Sequence, residues 1–290
     1  MTDNTNLKSL LKPNSVTERE GIFVDKYIAD KTVWDKLAVE SPEHAVISAS
    51  SEEAVAEKSV DQITELKVDL PEGIILDLGC GYGRIAKYLL PQRSFSGYIG
   101  VDSAHEMVRL FAARYNQTPA EQTTPVMFVN ADIHMIPLQD SSVDSVVVAA
   151  VFLHNHKSVV KRSLDEIYRV LKPGGVMYVY GSFPNKWSLM GLQGMIYQMF
   201  LNLIGNPFKN GPVRYYARGE VADLLDSFSE INIRSVGCVI LPRRIIFLPS
   251  IIDKYYRKFI ADTFNNTVRK LMPILASRIF PTHYEVIAKK

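Results

Sequence analysis

The sequence predicts an α/β protein built on a doubly wound parallel sheet. The first observation behind this is Ile74–Leu78, an apolar-dominated run followed by glycines at 79, 81 and 83 and then by the helical stretch Ile85–Leu90. Strand, glycine turn and helix make the first βα unit of a nucleotide-binding sheet, because glycine lets the backbone turn tightly and lets a ligand lie against it. The second is the recurrence of short apolar runs at Tyr98–Asp102, Val126–Val129, Val143–Val148 and Val176–Tyr180, which read as buried strands. The third is Val160, Leu164, Ile167 and Leu171, one face of a helix that Pro173, Gly174 and Gly175 then stop.

Taken in order, residues up to about Thr17 read as loosely attached. Glu18 to Leu37 reads as helical, with Ile22, Tyr27, Trp34 and Leu37 as core candidates. Ser50-Ser51-Glu52-Glu53 supplies a cap and first-turn acids for a helix through Val60, Ile63 and Leu66. After the glycine turn, strand two ends in Asp102, nineteen residues past Gly83. A carboxylate there offers acceptors only and suits both ribose hydroxyls of a nucleoside. Ala104 to Tyr115 carries Met107, Val108 and Phe111 at helical spacing, and Asp165 with Arg169 forms an i,i+4 pair further on. Gly219–Phe228 reads as a helix, Ile231–Ile240 as strand six and His283–Lys289 as the final strand. The expected domains are an N-terminal helical segment, 1–70, and a catalytic-type domain, 71–290, with helical insertions at about 183–217 and 242–281.

Composition narrows the function. With 290 residues, 47% hydrophobic, the chain can bury one large core with insertions. The net charge of +2 is unevenly spread: from Leu241 onward there are ten Lys or Arg against three Asp or Glu. Cys80 and Cys238 form no metal or redox motif, and the polar start Met1–Asn6 reads as no signal peptide, so the expectation is a cytoplasmic protein. His154 and His156 lie two apart with no carboxylate nearby in sequence, so no metal is expected.

Asp77, Gly79, Gly81 and Gly83 resemble the D-x-G-x-G-x-G motif I of class I S-adenosylmethionine (SAM) methyltransferases, of the methyltransferase type 11 kind, and differ from the G-x-G-x-x-G of dinucleotide folds. Asp132 with Ile136-Pro137 and Ser142-Val143-Asp144 is similar to a second family pattern, and Arg169-Val170-Leu171-Lys172-Pro173-Gly174-Gly175 to a third. The resemblance implies a Rossmann-like seven-stranded sheet of order 3-2-1-4-5-7-6, its last strand antiparallel, under N-terminal helices and a helical cap. It implies S-adenosyl-L-methionine as cofactor and S-adenosyl-L-homocysteine (SAH) as product. The cofactor residues it implies are Asp77, Gly79, Cys80, Gly81, Tyr82, Gly83, Asp102, Ser103, Met107, Asp132, Ile133, His134 and Ala149. Asp132 would reach the adenine amino group. Asp77 would either hold the loop or stand near the methionine amino group.

His154 lies just past strand four, where open α/β sheets place their ligands. It is either a catalytic base or a residue that orients the acceptor. Trp34, His154, Tyr215 and Tyr216 are the acceptor-pocket candidates, and Asn155 a candidate cap. The expected activity is methyl transfer to a small molecule, a hydroxyl of a hydrophobic, glycan or lipid-linked metabolite. Carbon methylation of a quinone- or sterol-like lipid is the alternative. A non-catalytic SAM-binding protein and an NAD-dependent oxidoreductase are the readings from other classes. No N/D-P-P-Y motif is present, which argues against a nucleic-acid partner. The stretch Trp187–Phe208 carries no charge. Together with the basic insertion, which contains Arg243, Arg244, Lys254, Arg257 and Lys258, it suggests peripheral membrane contact.

Overall fold

From one edge, the sheet runs β1 (Val16–Arg19), β2 (Ile22–Asp25), β5 (Val126–Asn130), β4 (Gly97–Asp102), β3 (Ile74–Leu78), β6 (Val143–Ala149), β7 (Leu171–Pro184), β9 (His283–Lys289), β8 (Glu230–Val236). These are the strands of a computed structural model that describes residues 5–28, 33–40, 70–92, 94–117, 123–205, 213–237, 241, 255–271 and 281–290. β3 to β7 pair in parallel, and β9 runs antiparallel to both β7 and β8. Starting at β5, the order is the expected 3-2-1-4-5-7-6. The sheet is larger than expected by two strands.

Those two strands correct the helical reading of Glu18–Leu37. Glu20 and Gly21 have φ of 51° and 77° and form a two-residue hairpin turn between β1 and β2. Positive φ at both central residues matches the right-handed twist of the flanking strands. β2 then alternates: Ile22 packs into the core on one sheet face and Phe23 into the core on the other. Ile22 pairs with Phe128, so the hairpin extends the parallel sheet. Tyr27, a core candidate, is instead 76% exposed beyond the turn. The described residues from Thr5 to Thr17 are also attached to the domain, not loose. Leu7, on α1 (Thr5–Lys8), is buried, and the Lys12 N–H donates to the Pro137 carbonyl at 3.0 Å.

Helices cover the two faces. α3 (Arg84–Leu89) and α4 (His105–Asn116) bury Ile85, Leu89, Val108 and Phe111 against Ile75, Tyr98 and Val147. α5 (Lys157–Val170) and α7 (Arg218–Leu224) bury Val160, Leu164, Ile167, Val221 and Leu224 against Leu76, Val101, Val146 and Val179. α2 (Val33–Glu40) packs on α4. α6 (Leu189–Leu203) and α8 (Asp262–Leu271) fall in the two expected insertions. The predicted helix through Val60 and the end of the predicted strand at Ile240 lie outside the described residues, as do the side chains of Leu37, Arg243, Arg244, Lys254, Arg257 and Lys258.

The Arg169–Gly175 stretch is a structural clamp. The Arg169 guanidinium donates to both Glu166 oxygens at 2.7 Å, to Asp140 Oδ1 at 2.7 Å, and to the Ile136 and Leu138 carbonyls at 2.9 and 2.8 Å. Glu166, not Asp165, is thus its acid; Asp165 pairs with Lys161. Arg169→Ala would take the guanidinium donor from two carbonyls and leave the half-buried Glu166 carboxylate with only the Ile136 N–H. It is expected to cost about 3 kcal/mol in urea denaturation, because hydrogen bonds to charged groups are worth more than neutral ones.

Candidate functional site

The glycine turn is built so that only glycine fits. Gly79, Gly81 and Gly83 have φ of 76°, 53° and 82°, a region that side chains resist. A Cβ on Gly83 would lie 2.1 Å from the Phe111 ring, and one on Gly79 2.3 Å from Val151. The turn spends its own amides. Gly79 and Cys80 N–H donate to the Val101 carbonyl at 2.7 and 3.0 Å, Gly81 N–H to Asp102 Oδ2 at 2.8 Å, and Gly83 N–H to the Cys80 carbonyl at 3.0 Å.

Asp102, at the end of β4, accepts from Gly81 N–H through one oxygen and from Ala104 N–H at 2.9 Å through the other. Each carboxylate oxygen retains a second acceptor position. Burial raises its pKa, and the two amide bonds work against that rise. Asp77 is 1% exposed. Its Oδ2 accepts from Tyr98 Oη at 2.6 Å, while its Oδ1 is buried with no hydrogen-bond partner. Burial pushes its pKa up to about 7, and the Tyr98 bond and the Arg84 charge pull against it.

Opposite the turn stands the segment after β6. Ala150 takes φ of 60°, and Val151 N–H donates to Ser182 Oγ at 3.0 Å. A 3-10 turn, Phe152–His154, follows, anchored by fully buried Phe152. The His154 ring meets Trp34 edge to face, centroids 5.1 Å apart. Its Nδ1 is buried without a partner, and burial lowers its pKa to about 4. The imidazole is therefore neutral at pH 7. The proton resonance lost in His154→Ala is expected to titrate near pH 4; a midpoint near 6.5 would contradict this burial. The α5 cap is His156, whose Nδ1 accepts from Ser158 N–H, and not Asn155, whose amide donates to the Val151 carbonyl at 2.9 Å.

These pieces frame one cleft at the carboxyl edge of the sheet. Of the expected cofactor residues, Gly79, Gly81, Asp102, Ser103, Met107, Asp132, Ile133, His134 and Ala149 line it, and so do Trp34 and His154. Six other predicted residues, four from the cofactor set and two from the acceptor set, stand behind the lining or away from it. Asp77 and Gly83 lie behind the turn. Cys80 is buried against Phe111 and Ala86, and burial raises its thiol pKa. Tyr82 packs under Met107 with the Arg114 guanidinium over its ring. Tyr216 is a core residue, 2% exposed, against Phe183. Tyr215 sits against Gly194 of α6. Neither tyrosine lines the cleft.

Sequence reasoning missed Ala150, Val151, Asn155 and Val159, which complete the lining. It also missed Asp35, whose Oδ1 accepts the Glu106 N–H at 2.9 Å and so fixes Trp34 against α4. Asp35 in the first turn of α2 was visible, but its partner was not.

Comparison with known proteins agrees with this architecture. Residues 76–179 match the family model described as a methyltransferase domain. A phthiotriol/phenolphthiotriol dimycocerosates methyltransferase of Mycobacterium tuberculosis is 30% identical over 149 residues, 50% of this chain and 52% of that protein. A demethylmenaquinone methyltransferase of Thermus thermophilus is 30% identical over 137 residues, 47% of this chain and 58% of that protein. The chain spans about half the length of the curated relatives it matches. In fold, it is similar to a SAM-dependent methyltransferase of Archaeoglobus fulgidus, with TM-score 0.51 and 18% identity over 81% of this chain and 94% of that one. Residues 76–179 therefore match a methyltransferase domain, on a fold shared with SAM-dependent methyltransferases.

Proposed function

We propose that the chain methylates a hydrophobic small molecule, at a hydroxyl, with SAM as methyl donor. The observation that carries this is the cleft itself: an acidic, glycine-walled half faces an aromatic, neutral-imidazole half. The first half fits SAM. Gly79 and Gly81 leave room for a ligand against the backbone, and Asp102 keeps acceptor positions for a ribose. Asp132 and His134 also line the cleft and can meet an adenine edge. Asp77 stands behind the turn and holds Tyr98 through one carboxyl oxygen, so it supports the cleft wall rather than lining it. The glycine spacing G-x-G-x-G, in place of the G-x-G-x-x-G of dinucleotide folds, speaks for a sulfonium nucleoside.

When bound, SAM supplies an electrophilic methyl group. The chain's own part is to hold the acceptor in line and keep water away. Trp34 and Val159 give that half of the cleft an apolar wall. His154, neutral and lining the cleft beside Trp34, orients the acceptor hydroxyl. With a pKa near 4 it is a weak proton sink, so we assign it to positioning rather than to full proton removal. His154→Ala is expected to lower kcat about a hundredfold while SAH affinity stays within about twofold. The names of the mycobacterial and Thermus relatives, one a lipid and one a quinone methyltransferase, support a hydrophobic acceptor. Carbon methylation of a quinone-like ring remains the second reading, favoured by the latter name.

The test is incubation of the chain with methyl-tritiated SAM and a total lipid extract. Label entering the organic phase, alkali-stable and dependent on His154, is the expected result. Label that stays entirely in water-soluble product would overturn the hydrophobic acceptor.

A further inference from the structure

α6 is an inside-out helix. Its inward stripe is Gly191, Gly194 and Gln198, small or polar, followed by buried Leu201, at spacings of three and four. The two glycines allow close approach. A Cβ on Gly191 would meet the Asn185 carbonyl, and one on Gly194 the Tyr215 hydroxyl. Gln198, with its amide oriented to satisfy both groups, bonds the Val213 N–H and carbonyl at 2.8 and 3.1 Å. The outward stripe is Leu189, Leu192, Ile196, Met199 and Leu203, and these are 42%, 40%, 57%, 61% and 79% exposed. At about 100° per residue the two stripes lie on opposite sides of the helix. A helix that faces water has the reverse pattern.

Charge says what covers this face. From Pro173 to Gly219 the sequence contains no Asp or Glu, but four cations: Lys186, Lys209, Arg214 and Arg218. Lys186 stands over the ring of Trp187, which is 66% exposed at the start of α6. An exposed tryptophan beside a lysine, leading an apolar stripe, is the composition of a helix that lies in a lipid interface. α6 has 15 residues, about 22 Å, which is too short to span a bilayer core. Among the described residues no helix is long and apolar enough to cross a membrane. The helix is also tied to the cleft. The segment that Gln198 holds at Val213 continues to Arg214, whose N–H donates to the Leu153 carbonyl at 2.7 Å and whose Nε donates to the Asn155 carbonyl at 3.2 Å. Leu153 and Asn155 flank His154.

We infer that α6 docks on an anionic lipid surface with its outward stripe in the interface, and that the Val213–Tyr215 segment couples this docking to the turn carrying His154. The inference rests on the hydrophobic-acceptor reading above and names where that acceptor is met. Zwitterionic phosphatidylcholine vesicles, with and without phosphatidylglycerol, provide the test. The full chain is expected to sediment with the mixed vesicles and to stay largely in solution with the neutral ones. Ile196→Glu with Met199→Glu should abolish sedimentation. Lys186→Gln should weaken it about fivefold, the value of one cation at an anionic surface. SAH affinity, measured on the same samples, should be unchanged in all variants, which shows that they are folded. The inference is overturned if the wild-type chain ignores both vesicles, if it binds both equally, or if light scattering shows the stripe to be the contact between two copies. If SAH binds while vesicles do not, only the docking fails; if SAH does not bind, the methyltransferase reading fails first.

Discussion

Asp102→Ala is expected to weaken SAH binding at least about a hundredfold in calorimetry, or about 3 kcal/mol. Two losses add. The carboxylate no longer accepts the Gly81 and Ala104 amides, so the glycine turn loses its tie to the end of β4. A ribose also loses its acceptor. Asp102→Asn should fall between, because the amide oxygen can still accept from one backbone N–H. Circular dichroism should show both variants folded, since the fourteen-residue β7 and the helices on both faces do not depend on this contact. An affinity unchanged in Asp102→Ala would remove Asp102 from the cofactor site.

The second large effect is steric. Gly83→Ala places a methyl 2.1 Å from Phe111 at a φ of 82°. Phe111 cannot retreat, because it is buried among Tyr98, Tyr115 and Phe128, with ring centroids 5.0 to 6.4 Å away. Left-handed backbone strain of about 1–2 kcal/mol and overpacking of similar size combine, so a loss of about 3 kcal/mol or more is expected in urea denaturation. Gly174→Ala is the matched control. Gly174 has φ of 76° but open space around it, so only the backbone part, about 1–2 kcal/mol, should appear. Equal losses in the two variants would show that the Phe111 contact does not govern the turn.

What could be read from the sequence was what local chemistry dictates. The glycine turn, the acid ending β4 and the Lys172-Pro173-Gly174-Gly175 stop each impose a backbone shape within a few residues, so their positions held. The N-terminal hairpin did not announce itself. β1 and β2 have four residues each, short enough that Ile22 and Trp34 fit a helical spacing as well as a strand, and the deciding partner, Phe128 on β5, lies far along the chain. Glu20-Gly21 was the available signal. Arg169 had acids within reach on its own helix, and spacing alone could not choose between Asp165 and Glu166. At the site, the acidic half was legible because its residues sit in motifs. The aromatic half was not, because the Trp34–His154 contact joins two distant elements, and Tyr215 and Tyr216 turn into the cap and the core. The inverted polarity of α6 likewise needed the structure: its apolar content was plain, but which side faced outward depended on Gly191, Gly194 and Gln198 finding partners.

The most direct measurement is calorimetric titration of the chain with SAH, run beside NADH. Binding of SAH in the micromolar range, with none for NADH, is the predicted result. Binding of NADH, or of neither, would contradict the assignment of this cleft to a SAM-type cofactor.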